Sequence, residues 1–200
     1  MNRDFLGDAH DWMKGAIFRR LLEAKVIKNF AADPMSTDEE PWSPVEYELY
    51  AALLQVGPEQ IIRHSCSLRG KRQAYFRELR HQGDLFLDPD IGIRTGSSGS
   101  LYKYVRPSEV VELATQGSER LVIVYQHIRG QTRSDRLAVV QNAFSGPGNC
   151  LEAAVYGSAS VALVFAALDR RRVRMAHDVL RDFLGPYAEK RVTLWECQVT

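Results

Sequence analysis

Apolar residues recur at helical spacing near the start of the chain. Met13, Ile17 and Leu21 follow one another at intervals of four within residues 9–24. This is the spacing of one face of an amphipathic helix. The other segments that we predict to be helical are 44–54, 70–82, 107–116, 132–144 and 169–184.

Short apolar runs separate these helices and predict strands. We place strands at 25–30, 61–65, 84–88, 121–126 and 191–196. Because the runs are continuously apolar and alternate with helices, they favour a parallel sheet that is covered on both faces. Two further runs, 151–157 and 160–168, are separated only by a tight break and predict an antiparallel hairpin. The expected fold is a three-layer α/β structure with a mixed, mostly parallel sheet and an antiparallel C-terminal hairpin.

Length and composition favour a single α/β domain over residues 1–200. A chain of 200 residues with 45% apolar content buries one sizeable core. Its 26 Lys and Arg against 25 Asp and Glu give a net charge of +1, without the basic excess typical of nucleic-acid-binding proteins. The sequence has no apolar run of about 18 residues, so we expect no membrane span. Cys66, Cys150 and Cys197 are far apart, which argues against a zinc site or a disulfide framework and fits a cytoplasmic protein.

Carboxylates follow the predicted strand at 84–88 directly. Asp88 and Asp90 lie at its carboxyl end, with Gly92 close behind. Parallel α/β sheets bind ligands beyond the carboxyl ends of their strands, because loops and helix amino termini converge there. A carboxylate at such a place can bind a metal, orient a base or accept a proton, and glycine lets a ligand approach the backbone. The alternative is an ordinary Asp-Pro turn.

The next predicted strand is followed by His127, which a parallel arrangement delivers to the same edge of the sheet. Histidine serves there as a general base, a metal ligand or a phosphate contact, or it is a surface residue without a role. Arg129 then follows, either as an anion contact or in a solvated loop. Tyr104, next to Lys103, either binds a nucleotide through its ring or anchors its loop.

Polar residues interrupt the apolar face of the first helix. At about 100° per residue, Asp11 and Lys14 fall within the same arc as the apolar positions, so both point toward the core or its margin. Because buried charges need partners, the two residues form either a mutual ion pair or part of a site. Asp8 is either a first-turn acid that interacts with the helix dipole or another member of that site.

Three stretches carry a resemblance to known families. They are Leu-Gly-Asp at 6–8 with Asp11 and Lys14, the run LFLDPDIGI, and the run VIVYQH. The chain resembles a group of uncharacterised bacterial and phage proteins. Over most of its length it is also similar, at greater distance, to the ribosomal-RNA adenine-N6 methyltransferases, which carry an N-terminal Gly-Asn-x-Ala-Asp-x-x-Lys segment and an Asp-Pro-Pro-Tyr motif.

This resemblance implies a Rossmann-like, class I methyltransferase fold, a nucleic acid or nucleotide substrate, and S-adenosylmethionine as the cofactor. The predicted hairpin at 151–168 suits the antiparallel strands that typically end such a sheet. The residues that the resemblance places at the cofactor and target-base site are Asp8, Asp11, Lys14, Asp88 and Pro89.

Two positions differ from the methyltransferases. The segment 29–35 contains no glycine where those enzymes carry a glycine-rich cofactor loop. The motif at 88–90 reads Asp-Pro-Asp, so the aromatic residue that stacks on the target base is replaced and an extra acid is present. The extra acid suits a metal ion or a different substrate.

Three functions stay open from the sequence. The first is a methyltransferase-related enzyme in which Asp88, Asp90 and His127 are catalytic, Asp88 accepts or orients the target amine, and Tyr104 and Arg129 contact the substrate. The second is a nuclease, phosphodiesterase or other hydrolase in which the two acids, with the histidine, hold Mg²⁺ or Mn²⁺ that activates water. The third is a non-catalytic member of the fold that binds a nucleotide or a partner protein.

Overall fold

The computed structural model describes residues 1–79, 83–97, 99–117, 119–128, 130, 132–144 and 151–196. Its helices are α1 (Ala9–Glu23), α2 (Pro44–Leu54), α3 (Arg72–Glu78), α4 (Pro107–Thr115), α5 (Arg133–Phe144) and α6 (Arg170–Leu184). Its strands are β1 (Ala31–Asp33), β2 (Leu85–Leu87), β3 (Gly92–Ile93), β4 (Tyr104–Val105), β5 (Val122–His127), β6 (Glu152–Gly157), β7 (Val161–Ala167) and β8 (Val192–Trp195).

In the described ranges, six strands form one mixed sheet in the order β1-β2-β5-β7-β6-β8. β1, β2 and β5 are parallel neighbours, and Leu85 is in register with both Ala31 and Val122. β7 is antiparallel to β5 and β6, and β6 is antiparallel to β8. β1, β2, β5 and β6 therefore point one way, so the sheet is mixed and mostly parallel, as predicted. β3 and β4 form a separate parallel pair, and β3 lies against β5.

Helices cover both faces of the six-stranded sheet. Side chains of α1, α2 and α6 form one core, and side chains of α3, α4 and α5 form a second core. Because neighbouring side chains on a strand point to opposite faces, Phe86 enters the first core while Leu85 and Leu87 enter the second. A strand that is buried on both faces needs apolar residues at every position, which explains the continuous apolar runs.

The strand predicted at 25–30 is wrong. Lys25 and Asn29 have φ angles of +56° and +46°, a left-handed backbone conformation that interrupts an extended chain. The strand forms at Ala31–Asp33 instead.

The strand predicted at 61–65 is also wrong. Ile61 forms an isolated parallel bridge with Ala32, and no strand is assigned over the rest of this segment. The Gly- and Ser-rich stretch at 91–100 contains the short strand β3.

The predicted helices are present, with bounds that differ at their ends. Ser43 caps the start of α2, since its hydroxyl accepts from the Glu46 N–H and the Glu46 carboxylate accepts from the Ser43 N–H. α3 is shorter than the predicted 70–82, of which 80–82 lie outside the described residues. The predicted hairpin is confirmed as β6 and β7.

Two further sequence features concern membranes and cysteines. Within the described ranges, no helix is both long and apolar enough to cross a membrane. Cys66 is a free thiol. Cys150 and Cys197 lie outside the described residues.

Candidate functional site

A pocket opens where α1 begins, at the carboxyl ends of β2 and β5. Its lining residues are Met1, Phe5, Asp8, His10, Asp11, Lys14, Asp88, Pro89, Asp90, Tyr125 and His127. Lys14 and Asp88 are 74 residues apart in the sequence. Distant segments of the chain therefore share one concave surface, at the edge where α/β sheets bind ligands.

A buried ion cluster forms the floor of this pocket. The Lys14 ammonium lies 2.7 Å from Asp88 Oδ2 and 2.9 Å from Asp11 Oδ1, and all three side chains are at most 3% exposed. The Tyr50 hydroxyl, on α2, donates a 2.8 Å hydrogen bond to Asp88 Oδ2. Lys14 Nζ also lies 4.2 Å from the centre of the Tyr125 ring, a cation–π contact. Each charged group of the floor is therefore paired within the protein.

Electrostatics keep this floor in one protonation state. Burial would lower the pKa of Lys14, but the Asp88 and Asp11 carboxylates outweigh burial and raise that pKa above 10.5. Burial raises the pKa of Asp11, and Lys14 opposes this shift. Burial, together with Asp88, raises the pKa of Tyr50 well above 10.0. Lys14 is therefore a fixed cation at neutral pH, and Tyr50 a fixed hydrogen-bond donor.

Asp8 organises the rim at the start of α1. Its Oδ1 caps the helix by accepting hydrogen bonds from the N–H groups of His10 at 2.8 Å and Asp11 at 3.2 Å. Its Oδ2 lies 3.2 Å from His10 Nδ1, and His10 Nε2 lies 3.4 Å from Ser160 Oγ. The Asp11 carboxylate accepts from the Gly7 N–H at 2.9 Å. Asp8 is thus both the first-turn acid that the sequence suggests and a wall of the pocket.

The rest of the rim combines ionisable groups with an aromatic ring. The His10 and His127 rings meet edge to face, with centres 6.2 Å apart. Asp90 also lines the pocket, with its carboxylate 3.2 Å from the Lys103 ammonium. Phe5 is 48% exposed. Unlike the floor, the rim presents side chains that a ligand can reach.

A buried glutamine holds the Asp-Pro-Asp loop at 88–90. The Gln126 amide accepts a 2.8 Å hydrogen bond from the Ile93 N–H and donates one of 3.3 Å to the Ile91 carbonyl. Gly92 has a φ of +129°, and a Cβ atom there would lie 2.5 Å from the Gln126 side chain. The glycine is needed for close packing against this amide. The sequence instead suggests that it admits a ligand.

The first residue ties the ends of β1 and β2 together. The Met1 amino group donates to the carbonyl oxygens of Pro34 at 2.8 Å, Met35 at 2.6 Å and Asp88 at 3.0 Å. The Asp88 N–H donates to the Asp33 carbonyl at 3.0 Å. These bonds hold the loop after β1 beside the loop after β2.

Asp33 closes the turn after β1. Its Oδ1 accepts hydrogen bonds from the Met35 N–H at 2.8 Å and from the Tyr75 hydroxyl at 2.7 Å. Met35 is fully buried, and no glycine occurs at 29–35. A turn capped by a side chain therefore occupies the position where the resemblance places a glycine-rich loop.

The structure brings most of the predicted site residues together. Those that line the pocket are Asp8, Asp11, Lys14, Asp88, Pro89, Asp90 and His127. Tyr104 is not among the lining residues; it lies in β4, where the Arg94 guanidinium is 5.8 Å from its ring. Arg129 lies outside the described residues.

The position of Asp88 bears on its expected role. The sequence suggests that Asp88 accepts or orients the target amine; its side chain is 1% exposed, and its Oδ2 already accepts from Lys14 and Tyr50. Asp88 therefore anchors the floor, and the groups that a ligand can reach are those of the rim.

Two residues of the site escape sequence reasoning. Tyr50 lies in the apolar pattern of α2, where nothing distinguishes a tyrosine that bonds a carboxylate from one that fills the core. Gln126 is a polar residue in the otherwise apolar run VIVYQH, and this interruption is the signal that could have identified it.

The donor groups of the pocket do not form a metal-binding set. Among the described residues, no group of three or more His, Cys, Asp and Glu side chains is arranged to hold a metal ion. The carboxylates of the Asp-Pro-Asp loop are already paired, Asp88 with Lys14 and Asp90 with Lys103.

Three comparisons with known proteins bear on this arrangement. No protein-family model, no curated protein and no solved structure matches the chain. Its function is therefore inferred from the site itself.

Proposed function

We propose that this protein is a Rossmann-like enzyme, related to the class I methyltransferases, that acts on the amino-bearing base of a nucleotide or nucleic acid. The observation that carries the proposal is the contact of the first helix with the Asp-Pro-Asp loop, in which Lys14 Nζ lies 2.7 Å from Asp88 Oδ2. In the adenine-N6 methyltransferases that the sequence resembles, the matching segments line the cofactor and target-base site. The antiparallel hairpin of β6 and β7 also suits that family.

The charge of the pocket supports an amine as its ligand. Four aspartates line it, against Lys14 and the Met1 amino group. Asp11 and Asp88 share the charge of Lys14, and Asp90 lies 3.2 Å from the Lys103 ammonium, so Asp8 adds most to the negative potential at the rim. Such a surface attracts a cationic or hydrogen-bond-donating group.

Residues of the rim are the ones that we assign to contact the base, because the side chains of the floor are buried. We assign the exposed ring of Phe5 to stacking on the base and Asp90 to accepting a hydrogen bond from its amine. An exocyclic amine loses a proton when it is modified, and a histidine at the rim, His127 or His10, is suited to accept that proton. Asp88 and Lys14 keep the two segments in place beneath the base.

S-adenosylmethionine is the cofactor that the family resemblance implies. The acidic pocket suits its positive charge. The turn after β1, however, is closed by Asp33 and Met35 and lacks the glycine-rich loop of the family. These residues do not fit the family's mode of cofactor binding, so the proposal rests on the target amine.

The metal-dependent hydrolase is the other function that the sequence suggests. It needs several donor groups that converge on one point, whereas the carboxylates of Asp88 and Asp90 face Lys14 and Lys103. No observation on the described residues favours this function over the first.

Calorimetric titration with two single-stranded DNA oligonucleotides tests the proposal. Both consist of thymine, which has no exocyclic amine, around one central base that is adenine in the first and hypoxanthine in the second. We expect adenine to bind about tenfold more tightly, because hypoxanthine lacks the amine that bonds Asp90. Asp90→Asn should remove this preference, whereas Asp182→Asn, the same change at an exposed position on α6, should keep it.

Equal binding of the two oligonucleotides would overturn the proposal. Binding of S-adenosylmethionine in a separate titration would add the methyl donor to it, as would transfer of a labelled methyl group to the adenine. Tight binding of Mn²⁺ that disappears in Asp90→Asn, without a preference for adenine, would favour the hydrolase.

A further inference from the structure

A second pocket lies beside the first, at the carboxyl end of β1. Its volume is about 230 Å³. Asp33, Tyr75 and His64 contribute to its lining and are largely buried, whereas Glu39, which also lines it, has a side chain that is 87% exposed. The pocket therefore extends from solvent down to the last residue of β1.

A histidine held between two carboxylates lies at its buried end. His64 Nδ1 is 3.2 Å from Glu78 Oε2, and His64 Nε2 is 3.2 Å from Asp33 Oδ2. The imidazole stacks on the Tyr75 ring with centres 3.5 Å apart. Burial opposes the charged imidazolium, but Asp33 and Glu78 outweigh burial and raise the pKa of His64. The buried end of the pocket therefore holds a carboxylate beside a histidine whose charged form is favoured.

These two groups keep unused hydrogen-bonding capacity. Within the part of the chain that the structure describes, neither Asp33 Oδ2 nor His64 Nε2 has a hydrogen-bond partner, although the two atoms are close together. The Asp33 side chain is fully buried and that of His64 is 9% exposed. A buried polar atom without a partner is unfavourable, and a ligand that supplies one gains affinity.

The chemistry that satisfies both atoms is a pair of hydroxyl groups. One hydroxyl donates to a carboxylate oxygen, and a second accepts from an imidazolium N–H. Oxygens on adjacent carbons are separated by about one hydrogen-bond length, which is similar to the 3.2 Å between Asp33 Oδ2 and His64 Nε2. Pro34, Leu68 and the Tyr47 ring add an apolar wall against which a sugar ring can pack.

We propose that this second pocket binds vicinal hydroxyl groups, those of a nucleoside ribose or of a free sugar, through Asp33 and His64. The inference does not depend on the function proposed for the first pocket, because it requires a diol and no amine.

Calorimetry with the 200-residue chain and inosine tests this assignment. Inosine carries the ribose diol but no exocyclic amine, so the proposed chemistry of the first pocket does not recognise it. We expect inosine to bind, and 2′-deoxyinosine to bind about tenfold more weakly because one hydroxyl is lost. This comparison uses the wild-type protein and does not depend on the folding of any variant.

Variants then locate the bound nucleoside. His64→Gln should weaken inosine binding about tenfold, whereas Asp90→Asn in the first pocket should leave it unchanged. D-ribose identifies the source of the diol: binding as tight as that of inosine indicates a free sugar, and weaker binding indicates a nucleoside. The proposal is overturned if neither inosine nor ribose binds, if 2′-deoxyinosine binds as well as inosine, or if Asp90→Asn weakens binding as much as His64→Gln does.

Discussion

Two buried aspartates at the ends of neighbouring parallel strands show two ways of using the same group. Asp33 ends β1 and Asp88 directly follows β2, and the backbones of the two residues are hydrogen-bonded to each other. Each carboxylate accepts one tyrosine hydroxyl, from Tyr75 at 2.7 Å and from Tyr50 at 2.8 Å. Each also faces one cation. The two sites therefore share a buried carboxylate, a tyrosine hydroxyl donor and a facing basic side chain.

The two sites differ in the basic side chain that faces the carboxylate, which is Lys14 in the first and His64 in the second. Lys14 donates to Asp88 and to a second carboxylate, and no carboxylate can deprotonate it near neutral pH. His64 faces Asp33 without forming a hydrogen bond, and histidine gains or loses its proton within the physiological range. The first pocket thus has a floor of fixed charge and a rim with ionisable groups, whereas the second pocket has its titratable histidine at its buried end.

The largest expected effect comes from breaking the floor of the first pocket. Asp88→Ala leaves Lys14 buried with a single carboxylate and removes the acceptor of Tyr50. We expect the free energy of unfolding, measured by urea denaturation, to fall by about 3–5 kcal/mol. Asp33→Ala at the matching position should cost less, because His64 can release its proton. Equal losses would show that the two cations are equivalent.

The next effect tests the loop that carries Asp88. Gly92→Ala combines an unfavourable φ of +129° with a Cβ atom 2.5 Å from Gln126. We expect a loss of about 2–4 kcal/mol in the free energy of unfolding, because strain and overpacking add. Gly96→Ala is the control, since a Cβ atom there would have no neighbour within 4 Å. A similar loss in both variants would contradict the role given to Gln126.

Two tyrosine variants test the hydrogen bond that each buried aspartate accepts from a hydroxyl. Tyr50→Phe and Tyr75→Phe each remove one hydrogen bond to a buried carboxylate. Each variant should lose about 1.5–3 kcal/mol of stability in urea denaturation, because hydrogen bonds to charged groups are stronger than neutral ones. A negligible loss in one variant would show that the corresponding aspartate relies on its other partners.

The smallest expected effect is a pH dependence that belongs to the second pocket. The pKa of His64 is raised above its ordinary value of 6.5, so its ion pairs stabilise the folded state fully below that pH. This stabilisation is lost as the pH rises through the raised pKa. The stability difference between wild type and His64→Gln, followed by thermal unfolding, should therefore shrink as the pH rises from about 6.5 into the alkaline range. A difference that is constant across this range would contradict the charged state of His64.

Sequence reasoning succeeded where the signal was local and repetitive. The helices, the strands β2 and β5, and the hairpin of β6 and β7 follow from apolar spacing, because burial on one or two faces imposes that spacing. The carboxyl-edge rule then placed Asp88, Asp90 and His127 at one edge, and the polar interruption in the first helix pointed to Asp11 and Lys14.

It failed where the deciding contact is long-range. β1 reads Ala-Ala-Asp and has little strand character, and it forms because parallel pairing with β2 buries it on both faces. In the apolar run before β1, two residues have a left-handed backbone conformation, and their side chains give no signal that predicts it. The partners of Asp33 and Asp88 come from other helices, so no local pattern reveals that both carboxylates are already hydrogen-bonded.

The 74-residue separation of Lys14 and Asp88 also has a kinetic consequence. Their contact closes a long loop, and the loss of chain entropy on closure must be met before the ion pair contributes. A lysine that enters the core before its carboxylates arrive is unfavourable, so we expect α1 to dock after β1, β2 and β5 have paired. A partly folded chain would then contain the paired strands but not the first pocket, because α1 supplies part of its lining. Ligand binding to this pocket would therefore begin only when α1 has docked, at the last stage of folding.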